Sequence, residues 1–185
     1  MPSINLAANY VTLFVQSGMG YSATFSGTFA LPKTLFVLLV TVVLGGWISR
    51  RAHQHKMFLI LGGCITAASS FLLYFGTQGP HLVSIIVLYL VTSLYGIGEG
   101  LCYMTTHPYY QKDIPEEDIG SGISVQTLCT TMGATLSATS YGAVLNGFGG
   151  DVDVAFPYMG LVVVAATAVY LLLGIFFVRF GPAEK

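Results

Sequence analysis

The sequence predicts an all-α membrane protein whose six transmembrane helices form a 3+3 inverted repeat. Three observations carry that expectation. The 185 residues are 54% hydrophobic and 8% charged, with a net charge of −1 and a mean hydropathy of +0.74, whereas a soluble domain carries roughly 25% charged residues. Six apolar runs punctuate the chain. The cations between those runs all fall on one side.

The runs cover about 4–19, 24–48, 57–75, 81–105, 119–145 and 155–179, making residues 1–185 a single domain. Five reach the roughly 20 residues that cross about 30 Å of hydrocarbon, and the first falls short. Backbone polar groups must be satisfied internally in lipid, so runs of this length read as helices. With an even number of spans both termini share a side. Arg50, Arg51, Lys56, Lys112, Arg179 and Lys185 lie on that side, while the opposite loops carry only Asp151 and Asp153. By the positive-inside rule both termini are cytoplasmic, in an inner or plasma membrane. No charged stretch precedes a cleavage site at the N-terminus, so no signal peptide is expected.

The first span carries Asn5, Asn9, Thr12 and Gln16 at offsets that share one helical face. Carboxamides are costly against lipid, so the stripe faces other helices, as packing hydrogen bonds, or a water-filled cavity. In the second span Lys33 follows Pro32 about ten residues in. It either snorkels outward or neutralises a buried acid or an anionic substrate.

The third and sixth spans, "MFLILGGCITAASSFLLYF" and "YMGLVVVAATAVYLLLGIFF", lack ionisable and carboxamide side chains and read as peripheral. Span four sets Thr92, Tyr95, Gly96, Glu99, Tyr103 and Thr106 on one side and Leu90, Leu94, Ile97, Leu101 and Met104 on the other. Low dielectric disfavours a lone carboxylate, which makes Glu99 a candidate proton or cation site, unless it is hydrated at the interface or paired structurally. Straight, flush helices would set Lys33 and Glu99 about 10 Å apart in depth, so the sequence gives no ground for joining them.

Before span five, "HPYYQKDIPEEDIGSG" holds Asp113 and Glu116 at capping-box spacing, with Pro115 suited to a helix start. Within the span Gln126, Thr130, Gly133 and Ser137 share a face, and Ala134, Ala138 and Gly142 form a small-residue seam. In order, the spans read polar-faced, long, apolar, then polar-faced, long, apolar. An odd number of spans per copy gives the two copies opposite topology.

Other chemistries find little support. The near-neutral charge excludes a nucleic-acid footprint. Cys64, Cys102 and Cys129 each sit in apolar stretches and read as buried thiols, with no disulfide or zinc spacing. His53, His55, His81 and His107 are scattered over both faces, and His53 with His55 reads as a solvated part of the basic loop. No nucleophile motif, metal site or cofactor motif is present, so an enzyme is not expected.

Three stretches resemble the C-terminal six-helix half of the major facilitator superfamily, in particular its drug:proton antiporter-like members. "YVTLFVQSGMGYSATFSGTFALP", residues 10–32, is similar to that family's seventh helix, outer turn and start of the eighth. "GGWISRR" resembles the degenerate G-x-x-x-D-R-x-G-R-R loop motif, here represented by Gly46, Arg50, Arg51 and Lys56. Arg50 stands at the motif's acidic position and His53 at its second glycine. "DIPEEDIGSGIS" resembles the common opening of helix eleven.

The resemblance implies alternating-access efflux of a small amphipathic molecule, coupled to protons, with uptake of a metabolite as an open alternative. It implies that Asn9, Thr12, Gln16, Tyr95, Tyr103 and Gln126 contact substrate; Glu99 and Lys33 are the charge candidates, Glu99 on its depth and facing alone and not as a signature of that family. It also implies that Met1 begins inside the seventh helix. The expected cause is a truncated or mis-started frame or a gene remnant, and the expected partners are lipid, a separate N-terminal half or a second copy. A non-transporting scaffold or inactive remnant is the reading from another class.

Overall fold

The computed structural model describes residues 11–49, 55–76, 81–112 and 114–176, and every regular element among them is helical. Asn5, Asn9, Arg50, Arg51, His53, Asp113, Arg179 and Lys185 lie outside the described residues. Helix α1 is described over residues 11–18 and closes in the π-turn Phe14–Gly18, with the Met19 amide donating to the Phe14 carbonyl at 3.1 Å. The second span is a broken rod of α2 (Ala23–Gly27), α3 (Ala30–Leu39), a π-turn (Val40–Leu44) and α4 (Gly45–Ser49). Four further helices follow: α5 (His55–Gly76), α6 (His81–Lys112), α7 (Ile119–Gly147) and α8 (Val152–Phe176).

Proline explains the first break. Pro32 has no N–H to offer the Thr28 carbonyl, which is taken instead by the Leu31 amide at 3.2 Å, and the chain turns at Thr28 and Phe29 before α3 begins. At the N-terminal start of the rod Ser22 caps α2, accepting from the Phe25 amide at 3.3 Å. The α7–α8 connection ends with Gly149 and Gly150 at φ +68 and +84. That conformation lets the Gly150 amide reach back to the Leu145 carbonyl at 2.9 Å. Asp151 then caps α8, its Oδ1 accepting from the amides of Asp153 at 3.0 Å and Val154 at 3.4 Å.

Among the described residues, four helices are long and apolar enough to cross a membrane: Ala23–Trp47, His55–Phe75, Ile85–Thr106 and Val152–Leu173. The expected fifth span does form a helix, but Ser and Thr hydroxyls along α7 keep it outside that group. Those hydroxyls turn inward on their own helix, as with Thr130 to the Gln126 carbonyl and Ser137 to the Gly133 carbonyl, at 2.9 and 2.8 Å.

Contacts between the helices fix their directions. Phe14 of α1 stacks on Phe156 of α8 at 4.1 Å between ring centroids, and a Cβ on Gly18 would strike the Asp153 carboxylate, so α1 and α8 run antiparallel. Gly62 of α5 faces Gly98 and Cys102 of α6 while Ser70 meets Tyr95, which makes α5 antiparallel to α6. On its other flank α5 meets α8, where Gly63 packs on Leu171 and Gly160 on Ser70. The third span is therefore the middle of a layer as well as a surface. Thr66, Ser69 and Ser70 are buried on its inner side, and Leu61, Cys64, Phe71 and Phe75 are exposed on the other.

The apolar core has two parts. A large cluster joins Val11, Phe14, Phe29, Leu73, Tyr95 and Phe156 with their neighbours on α1, α5, α6, α7 and α8, and a smaller one joins Val40, Phe58 and Leu101. Outside them, Leu31, Leu35, Leu38, Val42 and Val43 give the second span an exposed apolar flank, as suits a helix facing hydrocarbon. Of the cysteines, Cys102 is buried as expected. Cys64 and Cys129 are exposed instead, because each lies on a helix flank that no other described element covers.

The approach of α6 to its neighbours is glycine-dependent. A Cβ on Gly96 would collide with the backbone carbonyl of Lys33, and one on Gly98 would lie 2.5 Å from Thr66 Oγ1 and 3.0 Å from the Gly62 carbonyl. Gly96→Ala should therefore separate α3 from α6 and lower stability by about 1–3 kcal/mol, read as a lower melting temperature in detergent. Gly120→Ala, in open space, should cause no such loss in the same assay.

Candidate functional site

The site begins with the register of two parallel helices. Thr28 Oγ1 bonds the Tyr89 hydroxyl at 2.6 Å and Phe29 stacks on the Tyr89 ring at 4.2 Å. Deeper along the same seam, the Lys33 backbone rests on Gly96, Val40 on Gly100, and Gly45 on the Met104 sulfur. Glycine at positions 96 and 100 is the small-xxx-small spacing that lets helix backbones meet.

Within this seam the Lys33 Nζ lies 3.0 Å from Glu99 Oε2, with the two side chains 11% and 10% exposed. The separation in depth inferred from the sequence is overturned by the register. Because Lys33 is level with Gly96, the N-terminal end of α6 projects about five residues, or roughly 7.5 Å, beyond the start of α2. Glu99 is then only three residues deeper than Gly96, within reach of a lysine side chain.

Along the second span and α6 the pair sits between Phe29 and Tyr95 of the larger cluster and Val40 and Leu101 of the smaller one. Neither charge is hydrated as a surface group would be, and the contact between them offsets part of that desolvation cost. Glu99 is a buried, paired carboxylate, and Lys33 neutralises it instead of snorkelling to the interface.

The other sequence-predicted residues are not gathered at this point. Thr12 and Gln16 are half-buried on α1, Gln126 is half-buried on α7, and Tyr103, one turn beyond Glu99, is 54% exposed. Tyr95, expected against substrate, lies in a helix seam. It is fully enclosed, its hydroxyl is 2.9 Å from Ser70 Oγ, and it ties α6 to α5. A residue at the polar face of α6 can point to either neighbouring helix, and periodicity does not say which.

At the opposite end from the Asp151 cap, two residues of the basic stretch also move from their expected setting. Lys56 belongs to the first turn of α5 and donates to the Ile175 carbonyl at 2.9 Å, where a cation suits the negative end of α8. His55, expected to be solvated, is 5% exposed. Gly46 lies inside α4 and is exposed, so Gly46 and Lys56 are helical positions flanking the loop.

Residues missed by sequence reasoning include Ser70, Thr66 and Tyr89, all of them partners across helix seams. A signal for the site was present in "GIGEG", residues 96–100, which surrounds the acid with glycines. Glu99→Leu should strand the Lys33 ammonium and cost about 3–5 kcal/mol in detergent melts, and adding Lys33→Met should recover most of it. Additive losses in that double-mutant cycle would mean that the two charges do not depend on each other.

Comparison with known proteins places this arrangement. Residues 2–138 match the Major Facilitator Superfamily. The chain is 30% identical over 125 residues to the dehydrocurvularin exporter of Aspergillus terreus, covering 66% of this chain and 21% of that protein. It is 27% identical over 155 residues to the multidrug transporter protein MdtP of Bacillus subtilis, covering 83% and 28%. It is 31% identical over 153 residues to the galactose-proton symporter of Escherichia coli, covering 80% and 29%. The chain thus spans about a fifth to a third of the length of these relatives. No solved structure matches. The relatives are named as transporters, and the chain is accordingly not an enzyme. With a family match over most of its length and four apolar helices able to cross a bilayer, the chain is a multi-pass membrane protein and belongs to the Major Facilitator Superfamily.

Proposed function

We propose that residues 1–185 form the C-terminal six-helix half of a secondary active transporter of the drug:proton antiporter type. It exports a small amphipathic molecule by alternating access with proton coupling. The observation that carries this reading is the Lys33–Glu99 pair at 3.0 Å between two apolar clusters. Ionisable residues enclosed in a membrane domain mark ion and substrate pathways by default, since such charges are costly to retain. Export is favoured by the names of two relatives, the dehydrocurvularin exporter and the multidrug transporter.

In this reading Glu99 carries the proton, and Asn9, Thr12, Gln16, Tyr103 and Gln126 contact substrate. Tyr95 is assigned to the α5–α6 seam because its hydroxyl is engaged with Ser70. In the same reading there are six spans and both termini are cytoplasmic, in an inner or plasma membrane. A separate or covalently joined N-terminal half, or a second copy, completes the substrate path. Proton-linked uptake is the second reading, favoured by the relative named as a galactose-proton symporter.

Glu99→Gln keeps an acceptor for Lys33 while removing the titratable oxygen. In the complete transporter it should insert at wild-type level and reduce proton-driven dye efflux from inside-out vesicles by about tenfold or more. Efflux that still follows the imposed proton gradient in this variant would remove Glu99 from the coupling step.

A further inference from the structure

We propose that Cys102, Tyr170 and Thr106 form a relay that carries the proton between Glu99 and the end of α6 at which its apolar span stops. This rests on the reading of Glu99 as the proton site and names the path by which that proton leaves the interior.

The placement is read across α5, which is antiparallel to both α6 and α8. Gly62 lies against Cys102 and Gly63 against Leu171, so Cys102 and Tyr170 are nearly level. Glu99 precedes Cys102 by three residues and Thr167 precedes Tyr170 by three, which sets both about 4.5 Å nearer the middle of α5. Thr106 lies one turn to the other side of Cys102, as the last residue of the apolar span Ile85–Thr106. Enclosure ends along the same line, because Glu99 and Cys102 are 8% and 3% exposed whereas Thr106 is an exposed residue.

The hydroxyls of α8 mark the path. On α5 and α6, Thr66 and Thr105 turn back to their own helices, donating to the Gly62 and Leu101 carbonyls at 2.9 Å. Thr167 Oγ1 and the Tyr170 hydroxyl are instead buried without an aligned hydrogen bond among the described residues. Burying a hydroxyl in that way is unfavourable as packing alone. The Tyr170 hydroxyl lies against the Cys102 thiol and the Thr106 hydroxyl, near both and aligned with neither. Cys102 in turn feels the Glu99 carboxylate, its neighbour three residues back on α6. Thr106 Oγ1 donates to the Cys102 carbonyl at 2.7 Å, which leaves its lone pairs to accept from Tyr170. Thiol, phenol and hydroxyl each donate and accept, as a relay requires.

Release then proceeds by four hops. Protonated Glu99 gives its O–H proton to Cys102 Sγ, the Cys102 S–H proton passes to the Tyr170 oxygen, the Tyr170 O–H proton passes to Thr106 Oγ1, and the Thr106 proton passes to solvent water. Four bonds to hydrogen break and four form. Glu99 is left as the carboxylate 3.0 Å from Lys33 Nζ, and the three relay groups end with the proton count they began with. The chain's N-terminal amine also acts on Cys102, and His55 and Lys56 begin α5 beyond Gly62. Because the relay groups start and finish neutral, the path does not require these charges, Lys33 or Glu99 to lack other partners.

The complete transporter in inside-out vesicles is tested with ethidium as the probe, under an imposed proton gradient and as ethidium exchange without one, which needs no net proton release. Tyr170→Phe and Cys102→Ala should each slow gradient-driven transport by about tenfold or more while exchange stays near wild type. Cys102→Ser restores a donor and acceptor at similar size and should run near the wild-type rate. A packing role alone gives the opposite order, since serine is tolerated no better than alanine in a buried seam. Where Tyr170→Phe fails to fold, Thr106→Val against Thr106→Ser makes the same comparison at the exposed end. Equal rates for Cys102→Ala and Cys102→Ser, or equal losses of driven transport and exchange, would overturn the relay. Driven transport lost in Glu99→Gln but kept in Tyr170→Phe would leave the proton site standing and remove the relay. Driven transport equal in Glu99→Gln and wild type would remove both.

Discussion

Two opposite charges enclosed in an apolar interior impose the constraint that the rest of this fold serves. Neither Lys33 nor Glu99 can be held there alone at acceptable cost, so the helices carrying them must stay in contact and in register. Glycine at positions 96 and 100 brings the backbones together, and the turn before Pro32 aims the helix that carries the lysine. The Thr28–Tyr89 bond and the Phe29–Tyr89 stack fix the outer end of the same seam. Remove the close approach, and the lysine no longer reaches its carboxylate.

The remaining helices support this pair from the other side. α5 lies between α6 and α8 and meets both through glycines and hydroxyls, so a helix lacking ionisable side chains within its apolar run still acts as a structural centre. α8 is anchored at both ends by charge: Asp151 accepts from the amides of Asp153 and Val154, and Lys56 donates to the Ile175 carbonyl. These are terminal interactions worth about 0.3–2 kcal/mol each, small beside the burial of Phe14, Phe156 and Tyr95 but directional where apolar contact is not. α7 stands apart, its hydroxyls satisfied within its own turns and Tyr141 its one buried residue.

Membership of a transporter family and an enclosed ion pair point the same way, although the chain covers only a part of its relatives' length. The pair arises from two side chains on different helices, not from a loop motif.

By itself, the sequence determined the helical membrane class and the positions of the four most apolar spans. Length and composition are enough for that, because hydrocarbon forces the backbone to satisfy itself locally. It also marked Glu99 and Lys33 as the charges needing explanation, since an ionisable residue in an apolar run is visible without any partner. What only the tertiary structure decided was that these two meet, that Tyr95 serves a helix seam, and that Lys56 and His55 leave the solvated loop. Periodicity gives a residue's face on its own helix but not the offset between helices. Here an offset of about five residues set by glycine contacts turned two depths that looked roughly 10 Å apart into a single ion pair.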